Sequence, residues 1–354
     1  MSIPKRKKKN HKEKTLLIAD KTGRSGNPTS NSSDRAAINQ HHHHKYTKQD
    51  QGAGDRHSDN NNNAKDDMSK LAPALKELIN APFSRPGPAK APAKIRDVYL
   101  RIANEASQKN VGNRPWLALS AAASFTLNSP ESLAQLFHTA TSSSAPKPEP
   151  PVAAAELIRE VGLKCISFNG IPRSINCLGA FRAALPADVV SQLETAPTRG
   201  VSPANIAAVS ERGLRLWKSV YDPFDAKLVA RLADSHPDLP VHILSSHYGP
   251  LLSDPDPAQR GGLARVGRVL TSVVAIACLR AQTGVGPQVL SHVFGLRKAV
   301  EQGIHRREAE DGGDDVASVE WLASDEGCEW ILRSVDGIAE AIGSNFAAGR
   351  ESKL

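Results

Sequence analysis

Four cysteines, a scatter of histidines and one arginine behind a proline are the residues of this 354-residue chain whose types suit chemistry. Cys165, Cys177, Cys278 and Cys328 are separated by 12, 101 and 50 residues. No C-x-x-C pair occurs, so the spacing offers neither a redox dithiol nor a zinc site. Disulfide frameworks belong to small secreted domains, so buried free thiols are the expectation in a chain with this much potential core. His236, His242 and His247 resemble a ligand set at first reading. On an α-helix, however, positions 242 and 247 point about 140° apart, and no carboxylate at i+4 completes a site. No metal and no cofactor is expected. Arg173 follows Pro172 at a helix start, where it either steers an anionic substrate toward that helix end or lies on the surface. His292 shares a helix face with Val289, Val293 and Leu296. From that neighbourhood alone a core histidine with one hydrogen bond is the expectation.

The elements that must hold these groups read as helices almost throughout from Met68 onward, without a clean alternating strand. A helix starts at Ser129-Pro130-Glu131, where serine can cap, proline fits the first turn and glutamate suits the dipole. Leu133, Leu136, Phe137 and Ala140 form its apolar stripe. Ser142–Pro151 is a linker. Ile158, Val161, Cys165 and Phe168 line one further face, and Gly170-Ile171-Pro172 ends that helix and starts another carrying Ile175 and Leu178. Leu214, Trp217, Val220 and Tyr221 give the next stripe. Thr271–Ala281 is apolar on nearly every side and is expected to be the buried central helix. Asp311–Asp315 breaks the chain before a last long helix bearing Ile331, Val335, Ile338 and Ile342. An apolar helix followed by a proline-started one occurs twice, at Leu117–Phe125 with Pro130 and at Thr271–Ala281 with Pro287. That order hints at an internal repeat.

Composition changes sharply at Met68, which could serve as an alternative translation start. Residues 1–67 hold 14 Lys and Arg against 8 Asp and Glu, so they carry most of the net charge of +8. Only 12 of these 67 residues are apolar, too few for burial to offset ordering entropy, and the expectation is a disordered basic tail. Without interleaved aromatics, the Lys5–Lys9 cluster does not suggest nucleic-acid binding. The histidine run His41–His44 has no preorganised geometry for a metal. No apolar run is long enough to span a bilayer, and no apolar secretory core follows the first residues.

The stretch from Tyr248 to Gly303 resembles the AhpD-like and carboxymuconolactone decarboxylase-like superfamily. The matching features are the pair Tyr248-Gly249, the alanine-bearing helix Leu270–Ala281, and the histidine helix from Pro287 to Gly295. Phe168, Gly170, Pro172 and Arg173 are similar to that family's Gly-aromatic-Pro-Arg stretch. The resemblance implies an all-α, AhpD-like helical fold in two related halves, 68–190 and 191–349, and a homo-oligomer built through helices. It implies His292 as a catalytic proton carrier, with Arg173 and Tyr248 as substrate-binding residues. The C-x-x-C of the family's thiol peroxidases falls on Val285 and Gln288 here, and its acidic residue on Thr271 or Ser272. Thiol peroxidase chemistry is therefore not expected. Cys278 could replace the nucleophile only if the fold brought it near His292. The decarboxylase branch needs no cysteine. The expected function is a His-based lyase or isomerase for a small carboxylated or acyl substrate, and the alternative is a non-catalytic ligand- or partner-binding protein.

The sequence ends Ser352-Lys353-Leu354. This tripeptide, within the tail 350–354, is similar to the type 1 peroxisomal import signal, in which a receptor captures a small residue, a cation, an apolar end group and the terminal carboxylate together. A peroxisomal location with the import receptor as partner is expected.

Overall fold

Two helices lacking a polar face organise the molecule. The computed structural model describes residues 71–343, and among these every regular element is helical, with no strand. In chain order they are α1 (Pro73–Ile79), a 3-10 turn (Pro82–Ser84), α2 (Ile95–Gln108), α3 (Asn113–Thr126), α4 (Pro130–Thr141), α5 (Pro151–Lys164), α6 (Ile166–Asn169), α7 (Ile171–Ala184) and α8 (Ala187–Val190). There follow α9 (Ile206–Tyr221), α10 (Asp225–Ser235), α11 (Asp238–His242) and a π-helix (Ile243–Leu252). The remaining elements are α12 (Pro257–Arg260), α13 (Gly267–Gln282), α14 (Gly286–Glu301), α15 (Ile304–Glu310), α16 (Val316–Leu322) and α17 (Asp325–Ile342). The all-α expectation is met. The tails 1–67 and 350–354 lie outside the described residues.

α3 is buried from Pro115 to Thr126, and α13 from Arg268 to Ala281 except for Arg280. Alanines and serines keep both helices thin, so neighbours approach from every side. α3 and α13 pack on each other; α2, α4, α5 and α17 cover α3, while α14, α15 and α17 cover α13. The hydroxyls inside this core bond locally: Ser124 donates to the Ser120 carbonyl at 2.7 Å and also meets Tyr99 Oη at 2.7 Å. One close approach depends on glycine. A Cβ on Gly162 of α5 would lie 2.2 Å from the Phe125 ring of α3.

A second, smaller apolar cluster forms around Trp217, Tyr248 and Leu252, with Leu216, Tyr221, Leu228, Val229, Ile243 and Leu244 packed on it. It belongs to α9, α10 and the π-helix. α9 meets the π-helix at Gly213, where an added Cβ would lie 2.5 Å from the Gly249 nitrogen. α14 packs on both α9 and α13 and so joins the two clusters.

Several local expectations change. Ser129 does not cap α4; its hydroxyl donates to the Ala89 carbonyl and meets Ser132 Oγ, while Glu131 accepts from the Ala91 N–H at 3.0 Å. Tertiary contact with the 89–91 segment outcompetes the local cap. On α7 the inward face is Ser174, Cys177 and Phe181, and Ile175 is exposed. On α9 the inward face is Val209, Gly213, Trp217 and Val220, and Leu214 is exposed. The long last helix is present, but α16 intervenes, with Asp315 accepting from the Ser318 N–H and Ser324 capping α17 through the Gly327 N–H.

Candidate functional site

The seam between the two clusters gathers four polar side chains and one phenylalanine from five elements. α14 supplies His292, α9 supplies Tyr221, the π-helix supplies Tyr248, α6 supplies Phe168, and the first turn of α13 supplies Arg268. Gly295 makes the seam possible, because its missing Cβ would stand 2.9 Å from Val220 and 3.5 Å from Ser272 Oγ. Tyr248 donates to Tyr221 Oη at 3.2 Å, and Tyr221 Oη lies 3.5 Å from His292 Nε2. Trp217 contacts Tyr221 at a tilt with ring centres 4.2 Å apart and meets Tyr248 edge-on at 5.0 Å. Phe168 stands edge-on to the imidazole at 6.0 Å.

His292 is 8% exposed, and its Nδ1 is buried without a hydrogen-bond partner. Burial and the nearby Arg268 charge lower its pKa from 6.5 to about 4. The imidazole is neutral at physiological pH, so one nitrogen carries a lone pair. Burial raises the Tyr221 phenol, and burial with the neighbouring Tyr221 raises Tyr248 well above the ordinary value. All three groups are therefore neutral and able to pass a proton along one short chain.

Arg268 is the buried cation of the seam. Its Nε donates to Ser219 Oγ at 2.6 Å, Nη1 to Ser272 Oγ at 2.7 Å, and Nη2 to the carbonyls of Ser219 and Gly295 at 3.0 and 2.8 Å. Every one of these acceptors is neutral. Burial pushes its pKa down to about 10, against the pull of Glu308. Glu308 is engaged with the N–H groups of Arg268 and Val269, and Asp254 accepts from the Gly267 N–H at 2.6 Å. Asp254 also pairs at 2.8 Å with Lys164, which is wholly buried and donates to the Leu252 carbonyl. Burial works upward on Asp254, but Lys164, the Gly267 N–H and Arg199 outweigh it and hold the carboxyl below its usual value.

The residues singled out from the sequence fall in different places. His292 and Tyr248 meet through Tyr221. Arg173 donates to the Thr126 carbonyl at 2.5 Å, closing the C-terminal end of α3 rather than pointing to the seam. Cys278 is fully buried, and its sulfur contacts are Cys165, Asn169 and the Ala122 carbonyl; His292 is not among them. Cys165 and Cys278 lie with their sulfurs 3.5 Å apart, a pairing invisible across 113 residues. Burial raises the Cys165 thiol well above its ordinary pKa. His242 and His247 correct an expectation: their rings are 5.0 Å apart. An i→i+5 hydrogen-bonded turn is wider than the α-helical one and brings positions five apart onto one side. Among the described residues no group of three His, Cys, Asp or Glu could hold a metal ion. Ser352, Lys353 and Leu354 lie outside the described residues. Arg268 and Tyr221 were missed in the sequence. The one available signal was an arginine four residues before Ser272 on a helix that is otherwise apolar.

No helix among the described residues is long and apolar enough to cross a membrane. No family model and no solved structure matches the chain. A protein of Saccharomyces cerevisiae described as peroxisomal protein 2 is 30% identical over 158 residues, covering 39% of this chain and 52% of that protein. The chain thus spans about half the length of the curated relative it matches.

Proposed function

We propose that the chain is a peroxisomal protein of AhpD-like, carboxymuconolactone decarboxylase-like build that lacks thiol peroxidase chemistry and uses His292 as the proton carrier of a lyase or isomerase. The unpartnered Nδ1 of a neutral, buried histidine in line with Tyr221 carries this reading. With Nε2–H donating to Tyr221 Oη, the Nδ1 lone pair is free to take a proton alpha to a carbonyl. In this reading the phenols and Arg268 stabilise the negative charge that develops. A small carboxylated or acyl compound is the substrate class, with Tyr248 helping to bind it and Arg173 of α7 holding the C-terminal end of α3. The experiment is solvent-deuterium exchange into a panel of such compounds, read by NMR. Exchange lost in His292→Asn supports the reading; no exchange, or exchange indifferent to that change, overturns it.

A second reading has its own support. Phe168 and Tyr221 flank an imidazole that is only 8% exposed, as in a protein that binds a ligand or partner without turning it over. In that case ligands bind equally to the protein and to His292→Asn, and no exchange occurs.

The two-halves proposal, 68–190 and 191–349, is supported by the pairing of α3 with α13. A left-handed residue follows each helix, Asn128 at φ 52° and Thr283 at φ 63°, and a proline-started helix comes next. A homo-oligomer follows from the family resemblance and is checked by light scattering. The printed name of the yeast protein and the terminal Ser352-Lys353-Leu354 support peroxisomal import through the tripeptide receptor. An N-terminal fluorescent fusion should be punctate and become diffuse when Leu354 is deleted. A cytosolic or nuclear intact fusion removes this part. With Val285 and Gln288 at the dithiol positions, peroxide turnover with a dithiol reductant should be absent; robust turnover abolished by Cys278→Ser would reverse that.

A further inference from the structure

A cavity of about 670 Å³, lined by Arg268 but not by His292, opens between α9, the loop after the π-helix, and the start of α13. Five arginines line it: Arg212 and Arg215 from α9, Arg260 from α12, and Arg265 and Arg268 around the first turn of α13. Carboxylates also line it, but the buried ones are engaged. Asp254 is held by Lys164 and the Gly267 N–H, and Glu308 by two backbone N–H groups and Arg265. The N-terminus of α13 is thus closed by the chain's own acids and offers nothing to a ligand.

The guanidiniums are not saturated in the same way. Arg268, 8% exposed, bonds only neutral oxygens. Arg212 has a buried Nε without a hydrogen-bond partner and stands 3.6 Å from the mostly exposed Asp256. Arg215 is paired only along its own exposed helix face with Glu211. Arg260 forms no side-chain hydrogen bond or ion pair within 71–343. A buried cation hydrogen-bonded only to neutral oxygens is costly, and an orphaned buried donor adds to that cost. An incoming oxyanion relieves both at once. Leu216, Leu252, Pro255 and Pro257 supply the apolar part of the wall, beside Ser253 and Thr271. Size and lining match a small-molecule site with a few polar groups that fix orientation.

We propose that this cavity binds an amphiphilic organic oxyanion, its carboxylate or phosphate held by Arg212, Arg260 and Arg268 and its apolar body laid against Leu216 and the two prolines. Guanidinium forks suit both head groups. Because the cavity wall does not include His292, the inference holds whether or not the histidine performs chemistry. Occupancy nevertheless reaches the seam through Arg268. An anion beside that guanidinium offsets the charge that helps keep His292 neutral, so the imidazole titrates at higher pH when the cavity is filled.

The test is calorimetry on the full chain with benzoate, phenyl phosphate and inorganic phosphate. Saturable one-to-one binding of benzoate or phenyl phosphate, tighter than inorganic phosphate, is expected, and the tighter of the two identifies the head group. Arg260→Ala and Arg212→Ala should each weaken it about tenfold, the scale of one charge-assisted hydrogen bond. Lys218→Ala, an exposed cation of α9 outside the cavity, should leave it unchanged. Circular dichroism checks that each variant is folded. The proposal fails if neither organic anion saturates, if inorganic phosphate binds as tightly as phenyl phosphate, or if Lys218→Ala weakens binding as much as the two cavity arginines do.

Discussion

The α3–α13 core and the α9–π-helix cluster are built on opposite principles. In the first, two helices are buried over nearly their whole length and the polar groups are mostly hydroxyls satisfied within one turn. In the second, α10 buries no residue, α9 keeps one exposed face, and the backbone departs from α geometry for ten residues. Aromatic phenols and the histidine pair sit in the second region, and the first contributes Arg268 and the scaffold. Reactive groups thus gather where packing is thinner and where two bodies meet, while the thick core holds that meeting point in place.

The contrast can be broken most forcefully at Lys164. Removing its ammonium in Lys164→Ala leaves Asp254 with only the Gly267 N–H and the more distant Arg199 against its charge, at a cost of about 3 kcal/mol in urea unfolding. A change under about 1 kcal/mol would mean that water replaces the lost partner and that the core is less dry than described.

Next in size is the acid limb of the stability curve. The folded chain keeps His292 neutral down to about pH 4, whereas the unfolded chain takes up a proton near the ordinary 6.5. Stability from this group is complete above that ordinary value and is lost as pH falls toward 4, about 3 kcal/mol in all. Arg268, Tyr221 and Tyr248 face the imidazole, and none of them titrates in that window. His247, lowered by burial and by His242, adds a smaller loss of the same sign. His292→Asn should flatten the slope between pH 6.5 and 4, and an unchanged slope would remove His292 as its source.

Gly213→Ala separates the two regions more gently. The new methyl must displace the π-helix backbone at Gly249, a strain of about 1–3 kcal/mol. Hydrogen exchange should accelerate over 206–252 while amides of α3 and α13 keep their protection. Uniform loss across both would show that the smaller cluster is not separable.

The smallest effect sharpens the assignment of faces. Ile175→Ser changes an exposed side chain and should shift stability by less than about 0.5 kcal/mol, whereas Phe181→Ala on the inward face of the same helix should cost about 3–5. Equal costs would mean that Ile175 is covered in solution by another copy.

Much of this architecture was legible in residue order. Leu117–Phe125 and Thr271–Ala281 carry apolar or small residues on nearly every side, which favours burial all round, and both segments are the central helices. The Asp311–Asp315 break and the last helix were equally readable, because glycine, aspartate and a 3.6-residue stripe act locally. Which face of a marginal helix turns inward was not readable. Ile175 and Leu214 fit a stripe, yet neighbours claimed the adjacent faces carrying Cys177 and Gly213.

The site divides in the same way. The neighbouring residues made His292 a core residue, and the family resemblance implied a proton carrier there and put Val285 and Gln288 at the dithiol positions. Only tertiary structure set Tyr221 between Tyr248 and His292, put Arg173 on the end of α3, and brought Cys165 to Cys278. It alone turned His242 and His247 to one side, since the π-helix changes the period on which any angular argument rests. Helical period and local breaks are properties of neighbouring residues, so the chain order determined them. Charge pairing, orphaned donors and the cavity beside Arg268 depend on side chains brought together across the chain, so packing decided them.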